Sequence, residues 1–130
     1  MEEKLISFET AKLAKEMGFG LYSFTPSGCV SMYNDNTNEI EHLLMCQSFP
    51  YDYQTICVSQ SLLQRWLREE HNFIISVVPF YNNTTGICTL EGYTFLIFEK
   101  ESFEAITNDE DYKTYEEALE KGLQETLKLI

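Results

Sequence analysis

No apolar run in this sequence is long enough to cross a bilayer; the richest, Phe73 to Tyr81, has the length of a strand. Bases are scarce, with 9 Lys and Arg against 21 Asp and Glu, giving a formal charge of −12. That balance repels phosphate backbones and anionic lipid and steers basic partners inward. It also keeps a small domain soluble. Direct binding to nucleic acid or to a membrane is therefore not expected. Histidine occurs only at positions 42 and 71, so a nucleophilic thiol would have to find its base in one of those two. Cys29, Cys46, Cys57 and Cys88 include no close CxxC pair, and reduced thiols that pack as small hydrophobes are expected. Gly-rich phosphate loops, a GxSxG elbow and an HExxH motif are all absent. The opening MEEKLISF lacks the basic and apolar regions of a secretory peptide, so a cytoplasmic protein is expected.

What is present is architecture. A hydrophobic content of 44% and an aromatic content of 14% suffice for a packed core, and 130 residues fit a single domain spanning 1–130. The C-terminal stretch is the clearest. Thr114 and Glu117 form a capping box ahead of the stripe Tyr115, Ala118, Leu119, Leu123, Leu127 and Ile130. A first helix should begin at Ser7, bury Leu13, Ala14 and Met17, and stop at Gly18 and Gly20. A second should run from about Ser59 to His71, capped by Ser59 or Ser61. Its buried stripe is Leu62, Leu63, Trp66 and Leu67, its wet side carries the pair Arg65 and Glu69, and Asn72 ends it.

Between the first two helices the signal is weaker. Leu21 to Phe24 and Cys29 to Tyr33 read as strands joined by the turn Thr25 to Gly28. Ile40 to Met45 fits a strand or a helical turn, and Ser48 to Gln54 reads as an aromatic loop. After the second helix, FIISVVPF (73–80) and YTFLIF (93–98) should pair as an antiparallel hairpin. Gly92 marks a bulge, and Pro79 lies near a strand end or sheet edge. Strand residues alternate between faces. One face of YTFLIF carries Tyr93, Phe95 and Ile97; the other carries Thr94, Leu96 and Phe98. Both are apolar, so both should be covered, either by helices of this chain or by another subunit on the second face.

Candidate chemistry is thin. His42, Cys46 and Cys57, with Cys29 or Cys88, could hold zinc, but the tight paired ligands of structural sites are missing. Glu91, between Leu90 and Gly92, is the one acid to examine for a raised pKa, and an ordinary turn residue is the favoured reading of it. Arg65 and Arg68 flank Trp66, which falls on the apolar stripe and is accounted for by the core. Asn108 to Asp111 lacks the glycine and distal glutamate of a calcium loop. His71 suits the carbonyl end of a helix. No cofactor, metal or catalytic residue is assigned.

Three blocks, SFETAKLAKEMGF, SQSLLQRWLREEHNFIISVVP and YKTYEEALEKGLQETLKLI, resemble small proteins from prophage-like and mobile-element regions of Bacteroides-type gut bacteria. The resemblance covers both ends and the centre of the chain but not Leu21 to Cys57 or the acidic connector Glu99 to Asp111. It implies a mobile-element setting and a cytoplasmic protein, and it brings no catalytic motif.

The expected fold is α+β, with a mainly antiparallel sheet and three helices in the order α-β-β-(β)-α-β-β-α. The expected function is non-enzymatic protein interaction, with self-association as one form. Tyr51 and Tyr53 of the aromatic loop and the acidic Asp109, Glu110 and Asp111 are the expected contact residues. One alternative is an acidic mimic of DNA that occupies a nucleic-acid-binding protein. Another is a small thiol- or metal-dependent enzyme built on the cysteines and histidines.

Overall fold

Ser7 does begin the first helix. Its side chain accepts from the Thr10 amide at 3.3 Å and opens α1 (Phe8–Glu16). Gly18, at φ +97°, ends α1 with a bond from the Phe19 amide to the Ala14 carbonyl (2.9 Å). The buried residues of α1 are Thr10, Ala11 and Ala14; of the expected stripe Ala14 is buried, and Leu13 and Met17 are half-buried. A computed structural model describes residues 4–19, 29–34, 37, 39–44, 55–83, 86–102, 104–107 and 110–130, with 29–32, 41–44 and 56 given as backbone alone. The expected strand at 21–24, its turn and the aromatic loop with Tyr51 and Tyr53 lie outside the described residues.

The fold is α+β and its sheets are antiparallel, with the strands divided between two sheets. In the first, β1 (Cys29–Tyr33) lies between β2 (Ile40–Leu44) and β3 (Thr55–Cys57). In the second, β5 (Thr89–Glu99) lies between β4 (Phe73–Asn82) and β6 (Ala105–Thr107). The remaining helices are α2 (Gln60–Glu70) and α3 (Tyr115–Leu129). The chain divides into two compact units, 1–62 and 63–130, and the division falls within α2. Among the described residues, no helix is long and apolar enough to cross a membrane.

In the first unit the segment before α1 is tied to the segment before α2. The Ile6 amide donates to the Val58 carbonyl, and the Gln60 amide to that of Lys4, both at 2.9 Å. The buried Tyr33 hydroxyl donates to the Ile6 carbonyl, and Phe8 meets the Tyr33 ring edge-on, centroids 5.3 Å apart. Ser59, not Ser61, caps α2 by accepting from the Leu62 amide at 3.2 Å.

In the second unit, the C-terminal part of α2 buries Leu63, Trp66 and Leu67, and Asn72 at φ +61° turns the chain into β4. The β4–β5 hairpin pairs Ile75 with Ile97 and Val77 with Phe95. Its register shifts between Phe80, opposite Gly92, and Tyr81, opposite Leu90. Glu91 is the extra residue of that bulge. Thr114 caps α3 by accepting from the Glu117 amide at 3.1 Å. Ala118, Leu119, Gly122, Leu123, Thr126 and Leu127 make its buried stripe. Each large apolar side chain in that stripe contributes about 1.5–3 kcal/mol of burial free energy.

Candidate interaction surface

Directly opposed residues of an antiparallel pair share a face. One face of the β4–β5 hairpin therefore carries Ile75, Val77, Phe95 and Ile97, and the other carries Ile74, Ser76, Val78, Thr94, Leu96 and Phe98. Helix α3 lies on the first. A β-carbon added at Gly122 would stand 3.0 Å from Ile75 Cγ2 and 3.2 Å from Phe95 Cγ. The N-terminal end of α3 meets the same face through Tyr115 and Tyr93, whose ring centroids are 6.1 Å apart. Under this cover Ile75, Phe95 and Ile97 are buried.

Within this unit the described residues of the second face are less buried. Ser76, Val78, Thr94, Leu96 and Phe98 are half-buried, and Ile74 is 38% exposed. Phe80, on the same face, is 46% exposed. Of the covers expected, helices of this chain on both faces or another subunit on the second, α3 supplies the first face. α3 fits where Gly122 lets it approach, and the opposite face carries no buried apolar residue among those described.

At the hairpin tip Tyr81, Ile87 and Leu90 are exposed, Ile87 to 70%, and the register sets the opposed Tyr81 and Leu90 on the α3 side. Cys88 is exposed there too. From Phe73 to Asn82 no acidic or basic side chain occurs. In β5 the charged residues are Glu91, at the bulge, and Glu99, whose register places it on the α3 side. The second face is without charge in β4 from Ile74 to Phe80 and in β5 from Gly92 to Phe98, and the Tyr93–Tyr112 bridge sets the exposed Asp111 beside it, opposite Thr94.

Strand β4 is also an edge strand, and edges invite pairing. Here the Lys100 amide bonds the Asn72 carbonyl at 2.8 Å, so Ile74, Ser76, Val78 and Phe80 direct their backbone groups to β5. Phe73, Ile75, Val77 and Pro79 direct theirs to the free edge. Pro79 has no amide to offer, as expected of a proline at an edge. Gln64 of α2 donates from Nε2 to the Ile75 carbonyl at 2.9 Å. The edge is guarded while the face is open.

The expected contact residues are only partly placed. Glu110 and Asp111 are exposed. The Glu110 carbonyl accepts from Thr94 Oγ1 at 3.2 Å, and its carboxylate accepts from the Tyr112 hydroxyl at 3.2 Å. Asp109, Tyr51 and Tyr53 lie outside the described residues. On α3, Glu125 pairs with Lys121 (3.7 Å) and Lys128 (3.4 Å), so bases interrupt its carboxylates.

Among the described residues, no group of three or more His, Cys, Asp or Glu could hold a metal ion. Cys57 is buried, its thiol 3.9 Å from the Ile6 carbonyl. His71 packs edge-on against Trp66 with ring centroids 4.6 Å apart. A cleft of about 500 Å³ beside Asn72, Glu99, Lys100 and Glu101 has a polar described lining, unlike the apolar walls of ligand pockets. A second cleft, beside Phe95, Ile106 and Leu129, is apolar but holds only about 70 Å³.

No family model, no curated protein and no solved structure matches this chain.

Proposed function

We propose that this chain is a non-enzymatic protein-interaction module that docks through the uncovered face of the β4–β5–β6 sheet. The observation supporting this reading is the contrast within one strand. Phe95 and Ile97 are 1% and 0% exposed, whereas Leu96 and Phe98, which alternate with them, are only half-buried. Apolar area left wet forgoes about 25 cal/mol per Å² that a partner would recover on docking. A contiguous apolar patch rimmed by charge is the usual form of a protein-binding surface. The exposed carboxylates of Glu110 and Asp111 supply such a rim. The mobile-element setting implied by the resemblance above suits a small binding protein.

The test is the native mass of the assembly that contains this chain in a lysate of cells producing it. The wild-type chain should run in a complex heavier than its own 15.2 kDa. Leu96→Lys should release it as a folded monomer, and Glu116→Lys, on the exposed side of α3, should not. A wild-type chain that runs at its own mass, or a complex indifferent to Leu96→Lys, overturns the reading.

A further inference from the structure

We draw no further inference here: the strongest candidate, the less buried face of β4 and β5 that carries Ile74, Val78, Leu96 and Phe98 beside Asp111, belongs to the surface already described, and nothing among the described residues shows what covers it.

Discussion

The side-chain amide of Gln64 sits 2.9 Å from the backbone oxygen of Ile75, so a helix closes a carbonyl on the free edge of its neighbouring strand. With Pro79, which has no amide, this bond occupies part of the free edge of β4, ten residues long and without charge. Gln64→Ala should cost about 1 kcal/mol in urea unfolding, the usual net worth of such a bond. It should also speed thioflavin-positive aggregation, since the carbonyl then becomes a template for strand addition. Unchanged aggregation would mean that Pro79 and the bulge guard the edge unaided.

Gly122 sets the distance between α3 and the sheet. Alanine would normally favour a helix by up to about 1 kcal/mol over glycine. Here its methyl group would stand 3.0 Å from Ile75 Cγ2 and 3.3 Å from Phe95 Cβ. Phe95 Cβ is fixed to the central strand and cannot swing away, so overpacking of about 1–3 kcal/mol should win. Gly122→Ala should therefore lower the urea midpoint, and a raised midpoint would show that the helix simply slides outward.

Gly92 answers to backbone rather than side chain. A β-carbon there would lie 2.6 Å from the Tyr112 carbonyl oxygen. Tyr93 and Tyr112 exchange both of their amide bonds at 2.7 Å just beside it. Gly92→Ala should break that bridge. Amide exchange at Tyr93 and Tyr112 should accelerate while the Ile75–Ile97 region keeps its protection.

Thr55 carries a buried hydroxyl without a hydrogen-bond partner, on a strand paired with Tyr33. An orphaned polar group of this kind costs about 1–3 kcal/mol. Thr55→Val keeps the branched shape and removes the hydroxyl, so it should stabilise the chain by about 1 kcal/mol in urea unfolding.

The helices and the central hairpin were legible in the sequence because each is marked several times over. α3 has a capping threonine, first-turn glutamates and an apolar stripe, and all three point to one element. β4 and β5 are long, apolar and bounded by turn residues. β3 and β6 span three residues each, too short for any period to show, and their strand character comes from their partners β1 and β5. The uncovered face was half legible. Alternation in YTFLIF shows two apolar sides, but which of them α3 covers follows from Gly122, whose closeness to Phe95 no local pattern reveals. Ile87 and Leu90 at the tip gave no signal, since an apolar residue near a turn looks the same whether exposed or buried.

The most direct test is hydroxyl-radical footprinting of β5 in the assembled protein and again after dilution to free chains. Phe95 and Ile97 should resist oxidation in both states, whereas Leu96 and Phe98 should be protected only in the assembly. Equal oxidation of Leu96 and Phe98 in both states would contradict the account, because the face would then stay wet in the form in which the protein exists.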